Sequence, residues 1–356
     1  MRRELKYPIA GFGMGAIGGG IANLIIQFSE LEDEGKSFWD NVNWDRVLKS
    51  AGRWGVAGAA GGYLYYQLKV AQESSLPFYA DDYLHKVLMH YNVKGNKHIY
   101  NDAISKRESI KDFLKETFKG KLAGSPVNWG STARGTAIGD NYDFDIIIPF
   151  KRNSYNSLEE MYTSVYNILY KQYAGYNVEV RKQKRSLGIT FFLNETELHF
   201  DIVPGREVND YKLDKNLNLF VRPDNFWSNP SRIKTNLDAH RNLTKNRPEE
   251  RKVVKLVKLY RDLCHSNIHS TLLQNITVKA FENQEASSSL SNNFIHTLEY
   301  IAEKLPILKV VDPANTNNIL TENVSSNEIN NLVRRINNDL FKIENNDRYL
   351  KEIFQL

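Results

Sequence analysis

The stretch NWGSTARGTAIGDNYDFDIIIPF, Asn128 to Phe150, decides how this chain is to be read. It runs from a Gly-Ser turn through Arg-Gly-Thr to two aspartates one residue apart, and those aspartates open an apolar, strand-like run. Aspartate is a poor strand former, and a carboxylate on a sheet surface must be solvated or neutralised. Residues two apart on a strand share a face. Asp143 and Asp145 therefore project together, while Phe144, Ile146 and Ile148 project into a core.

A third aspartate follows in LHFDIVP, where Phe200 and Ile202 share one face and Asp201 lies on the other with His199. If the two strands are neighbours, Asp201 joins the pair, and three carboxylates on one surface repel unless cations sit among them. Hard-oxygen ligands of this kind suit Mg²⁺, with Mn²⁺ as the alternative. Two such ions roughly 3.5–4 Å apart stabilise the attacking and leaving oxygens of an in-line phosphoryl displacement. Upstream, Gly130 lets an anion approach a backbone rich in unpaired N–H groups, and the Ser131 hydroxyl adds a donor. TARGTAIGDN is expected to form a short helix and loop carrying Ser131 over the acidic strand, with Arg134 available to a carboxylate or a phosphate.

Outward from this motif the periodicity gives an element order. Residues 81–121 carry a helical pattern, broken at Gly124-Ser125-Pro126. NSLEEMYTSVYNILYKQY reads as a helix started by Asn156 or Ser157. YNVEVRKQ, SLGITFFL and ELHFDIVP alternate as strands. After Pro223 the pattern turns helical through RPEERKVVKLVKLYRDLCH, LLQNITVKAF and NFIHTLEYIAEKL, and an Asn-rich C-terminal stretch ends in more helix. The fold class expected is α/β: a mixed sheet with helices over residues 76–222, followed by an α-helical domain over 223–356.

The 356 residues allow two domains, and 41% hydrophobic with 25% charged residues is ordinary for a folded chain. A formal charge of +5 is too small to mark a nucleic-acid binder by itself, but it suits a triphosphate substrate. No DNA-specific or added RNA-binding module is visible. The single cysteine, Cys264, excludes an internal disulfide and a cysteine-built zinc site, which points to a reducing, cytoplasmic compartment.

Residues 1–75 form a glycine-rich region. No residue from Tyr7 to Ser29 is charged, and small residues recur at Gly11, Gly15 and Gly19, then at Ala51, Gly55 and Ala59. Small residues four apart let two helices approach closely, so a helical hairpin is expected. Arg2, Arg3 and Lys6 precede it, and Glu30, Glu32, Asp33 and Glu34 occupy its loop, an asymmetry that would leave both termini cytoplasmic. Two readings stand side by side: a hairpin inserted in the inner membrane through residues 7–68, and a soluble, glycine-packed one. No cleavage site marks a signal peptide.

The ordered combination of Gly-Ser, Asp-x-Asp on a strand and a later strand-borne aspartate resembles the polymerase-β-like nucleotidyltransferases. More narrowly, GSTARGTAI…DFDI, RKQKRSLGITFF, LHFDIVPGRE, FWSNPSRI and VVDPANTNNIL resemble the branch holding oligoadenylate synthetases, cyclic GMP–AMP synthase and the bacterial cyclic-oligonucleotide synthases of antiphage systems. The resemblance covers residues 81–340. It implies a nucleotidyltransferase core and a helical domain with nucleotide in the cleft between them. It implies that Asp143, Asp145 and Asp201 are catalytic and hold two Mg²⁺ ions, with Asp201 helping to deprotonate the attacking sugar hydroxyl. It assigns Gly130 and Ser131 to the triphosphate, and Lys258 in KVVKLVKLYRD with Ser270 in HSTLLQ to the same ligand.

Arg251, Lys255 and Lys258 fall on one helical stripe opposite Val253, Leu256, Val257 and Tyr260, so a solvated face is the alternative for them. Gln274 stands where many relatives have glutamate. Phe226 and Trp227 are candidates for base stacking or for packing. Arg181, Lys182, Lys184 and Arg185 read either as a strand edge or as a steering patch. The function implied is synthesis of a cyclic or short linear oligonucleotide from nucleoside triphosphates, answered by a separate effector protein. Two alternatives remain: transfer of a nucleotide to an RNA end, a protein hydroxyl or a small molecule, and a catalytically silent, membrane-tethered nucleotide sensor.

Overall fold

Alternating apolar residues and two long amphipathic helices assemble into one sheet-centred layer with a helical half behind it. The computed structural model describes residue 43 and residues 78–93, 97–139, 143–193, 196–223, 229–283 and 287–356. The hairpin expected over residues 7–68, and Phe226 and Trp227, lie outside the described residues. Among the described residues no helix is long and apolar enough to cross a membrane.

The chain order begins α1 (Ala80–His90), α2 (Lys97–Thr117), β1 (Val127–Trp129), α3 (Gly130–Arg134), β2 (Phe144–Phe150) and α4 (Leu158–Tyr173). It continues β3 (Val178–Lys182), β4 (Leu187–Leu193), β5 (Thr196–Glu207), α5 (Tyr211–Asp214), β6 (Asn216–Val221), β7 (Ser231–Asn236) and α6 (Leu237–Asn242). The helical half comprises α7 (Pro248–Leu263), α8 (Ser270–Asn283), α9 (Leu290–Lys304), the small hairpin β8 (Val311–Asp312) and β9 (Asn315–Ile319), α10 (Ser326–Asn345) and α11 (Leu350–Ile353).

The sheet order is β1-β2-β5-β4-β3, and the far end of β5 also pairs with β6, which pairs with β7. Among the described residues, β2 and β5 are the one parallel pair of this sheet. One face is covered by α2 and α4, whose Ile110, Leu114, Met161 and Val165 meet Phe144, Ile146, Phe200 and Ile202. The opposite face buries Ile147, Val203, Leu217 and Leu219. Asp145 and Asp201 belong to this second face by the two-residue period of a strand.

Helix α4 starts as the sequence predicts. Ser157 caps it by accepting from Glu160 N at 3.0 Å, and the Glu160 carboxylate reaches back to accept from Asn156 N, just before the cap, at 2.9 Å. Two elements differ from the sequence reading. The helical pattern of 81–121 is two helices. The stretch after Pro223 first adds β7, which pairs with β6 from Asn216↔Asn236 to Val221↔Ser231. The sheet therefore runs on to Asn236, and the division expected at residue 222 falls between two paired strands. Polar SRIKTN carries no apolar alternation, so its strand character comes from pairing with β6 and not from its own pattern.

Candidate active site

The register of β2 and β5 sets the acidic wall. Phe144 is paired with Phe200 and Asp145 with Asp201. On the covered face the two phenylalanine rings stack with centroids 5.5 Å apart. A one-residue slip of β2 against β5 would turn Asp145 into the covered face and Phe144 out of it, so the core fixes the carboxylates side by side. Asp143, exposed, sits just ahead of β2. Burial, then Asp201, then Asp143 push the Asp145 carboxyl up to about 7. Burial and Asp143 also raise Asp201.

Gly130 begins α3 directly against this wall. Its φ is +70°, and a Cβ there would lie 1.7 Å from Asp145 Oδ2. Only glycine allows both the left-handed backbone and that approach. The Ser131 carbonyl accepts from Thr136 N at 3.0 Å and Ala137 N at 3.1 Å, which folds the following loop back over the turn. Arg134 is half-buried, its buried Nε has no partner, and Asp145 is the charge that favours its protonated form. A buried donor left without a partner is costly unless an acceptor joins it.

The opposite wall comes from α7. Lys258, 8% exposed, donates from Nζ to Thr136 O at 2.8 Å. Burial, with Arg261 and Arg134 nearby, lowers its amine to about 8. The alternative of a solvated face does not hold for Lys258. Of Arg251, Lys255 and Lys258, only Lys258 reaches the cleft, and Arg251 donates instead to Thr244 O at 2.9 Å. Ser270, at the start of α8, accepts from Arg261 at 2.7 Å.

These residues enclose a cleft of about 380 Å³. The sequence-derived candidates Gly130, Ser131, Arg134, Asp143, Asp145, Lys258 and Ser270 all line it. Asp201 does not line that cleft but pairs in register with Asp145, which does. The cleft holds charges of both signs: Asp143 and Asp145 with Arg134 beside them, and Lys258, Arg261 and Asp262 from α7, where Asp262 pairs with Arg261 at 2.6 Å.

Sequence reasoning missed Arg261, Asp262 and His240 among the lining residues. Arg261 lies three residues after Lys258, so extending that stripe by one turn would have found it. His240 is buried with Nε2 3.4 Å from Asp312 Oδ1. Burial pushes its imidazole down, Asp312 opposes this, and Arg134 adds to the depression. Gln183 and Ser186 were also missed. Ser186 Oγ donates to Asp201 Oδ2 at 3.4 Å, and Gln183 bonds the same carboxylate. The basic run is largely taken up locally: Arg181 donates to Thr190 Oγ1 at 3.0 Å, and Lys182 Nζ lies 4.5 Å from the centre of the Tyr166 ring.

The donor chemistry fits a divalent cation. Asp143, Asp145 and Asp201 offer hard oxygen donors; burial first and their mutual repulsion second raise Asp145 and Asp201, and a cation among them would oppose that shift. Among the described residues no three His, Cys, Asp or Glu side chains are gathered into a closed ligand set, so the wall offers converging carboxylates and not a finished cage.

No protein-family model matches the sequence, and no curated protein matches it. Solved structures do match the fold. E. coli MS115-1 CdnC with ATP superposes with a TM-score of 0.60 at 16% identity, over 74% of this chain and 91% of that one. The E. coli MS115-1 CdnC:HORMA-deltaN complex gives 0.60 at 15% identity, over 74% and 90%. Vibrio cholerae DncV cyclic AMP-GMP synthase, in complex with the linear intermediate 5′ pppA(3′,5′)pG, gives 0.53 at 14% identity, over 81% and 83%. With its Asp145–Asp201 register, its Gly130 turn and its helical half, this chain shares the fold of these E. coli CdnC and V. cholerae DncV structures.

Proposed function

We propose that the chain is a nucleotidyltransferase that joins nucleoside triphosphates into a cyclic or short linear oligonucleotide. In this reading a sugar hydroxyl oxygen bonds to the α-phosphorus of a second triphosphate. The bond from that phosphorus to the β-phosphate bridging oxygen breaks, and pyrophosphate leaves. The cleft carries the proposal: Asp143 and Asp145 line it together with a buried, partnerless Arg134 Nε and the buried Lys258, and Asp201 pairs in register with Asp145. A magnesium nucleotide has the matching charges, with a cation for the carboxylates and an anion for the basic side chains.

Asp143, Asp145 and Asp201 would hold Mg²⁺, which when bound supplies charge neutralisation at the reacting phosphate. Ser131, Arg134, Lys258 and Ser270 bind and orient the triphosphate. Asp201, raised by burial, accepts the proton of the attacking hydroxyl. Most of the rate gain in such a site comes from alignment and fixed charge. The likeness in fold to a cyclic AMP-GMP synthase and to a protein solved with ATP supports this choice of chemistry. A role in antiphage signalling through a separate effector belongs to the same proposal.

The test incubates the full chain with all four labelled ribonucleoside triphosphates and Mg²⁺, beside an Asp143→Ala/Asp145→Ala control. Products are treated with phosphatase and resolved by mass. A phosphatase-resistant oligonucleotide absent from the control is the expected result. Bound triphosphate without oligonucleotide product would refute it and direct the search to an RNA, protein or small-molecule acceptor.

A further inference from the structure

The stretch DPANTNN lies far along the chain from the acidic strands, and nothing in the proposed chemistry uses it. Its Asp312 is 8% exposed. Oδ1 accepts from Ala314 N at 2.9 Å and Oδ2 from Asn318 Nδ2 at 3.2 Å, so the β8–β9 hairpin holds the carboxylate in one orientation. The side chain it meets outside the hairpin is His240, whose Nε2 stands 3.4 Å from Oδ1. The other side of the imidazole meets Trp129, edge to face, with centroids 5.5 Å apart and planes at 83°. Trp129 is the residue before Gly130 and the strand partner of Asp145. A continuous set of contacts thus joins the hairpin of the helical half to the base of the Gly-Ser turn.

That turn needs support from outside. Strand β1 has three residues and helix α3 five, too few for either to persist alone. Gly130 adds a left-handed residue at their junction. An imidazole is suited to the link because it offers a ring face to Trp129 and an N–H to Asp312 at once. Phenylalanine keeps the first contact and loses the second.

We infer that Asp312 and His240 are a positioning pair that holds the Gly130–Ser131 turn in register with Asp145. The role in catalysis rests on the nucleotidyltransferase reading, whereas the mechanical link does not. The test measures amide hydrogen exchange across residues 127–139 in the full chain, together with triphosphate KM and kcat, for His240→Ala, His240→Phe, Asp312→Asn and the His240→Ala/Asp312→Asn double variant.

Loss of one member of a coupled contact is expected to speed exchange at 130–139 about tenfold and to raise KM by a similar factor, with a smaller change in kcat. Amides of β4 are expected to stay as in the parent protein. The double variant is expected to be no worse than His240→Ala, because both act through one contact. His240→Phe, which keeps the ring, is expected to fall between the parent and His240→Ala. The inference is overturned by unchanged exchange at 130–139, by acceleration spread equally over β4, or by full additivity in the double variant. If the parent protein turns over no nucleotide, the functional reading fails while the exchange data still decide the pairing.

Discussion

Replacing Asp145 by asparagine should stabilise the metal-free protein while abolishing its chemistry. The carboxyl is pushed from 3.8 to about 7 by burial and by the two neighbouring aspartates. A shift of that size corresponds to about 4 kcal/mol of penalty for the ionised form. The cleft is open to water, so about half of it, ~2 kcal/mol, is the working figure. The folded value lies above the unfolded one. The folded state therefore holds its proton more tightly, and stability is lost as pH rises from about 4 towards 7.

At pH 8, in a chelator, Asp145→Asn should raise the melting temperature by about 3 °C for a chain of this size. At pH 5 the gain should shrink to roughly a third, because only part of the titration has occurred there. Adding Mg²⁺ should raise the melting temperature of the parent protein at pH 8 and that of the variant much less. Thermal unfolding at the two pH values, with and without metal, reads all of this. A variant that melts lower than the parent at pH 8, or gains equally at both pH values, refutes the electrostatic account of the acidic wall.

Gly130→Ala places a Cβ 1.7 Å from Asp145 Oδ2 at a φ of +70°; it should cost about 1–3 kcal/mol in urea unfolding and eliminate triphosphate binding by calorimetry. Lys258, with its amine at about 8, is charged below that value and neutral above it. Affinity for a non-hydrolysable triphosphate should therefore fall about tenfold between pH 7 and pH 9, and Lys258→Met should flatten this dependence. Ser157→Ala removes the cap of α4 and should cost about 1 kcal/mol in the same unfolding assay with no change in triphosphate affinity.

Much of the site could be read before any coordinates existed. The alternation in YDFDIIIPF and LHFDIVP assigned each aspartate to the face opposite the phenylalanines, and glycine before serine marked a backbone open to an anion. These are local properties, set by the two-residue period of a strand and by the absence of a Cβ, and one sequence carries them completely. The amphipathic spacing of α7 and the capping pair of α4 are local in the same sense.

What the sequence could not supply depends on which distant segments meet. Strand β7 exists because β6 offers it partners. Lys258 is drawn into the cleft, away from solvent, because Thr136 offers a carbonyl there. Gln183 and Ser186 reach Asp201 because β4 pairs Gly188 with that aspartate. His240 becomes part of the wall because Asp312, far along the chain, is buried beside it. Side-chain type and periodicity alone determined which residues could do chemistry here. Tertiary structure decided which of them share a cleft, because burial, desolvation and charge proximity are properties of the packed neighbours and not of the residue.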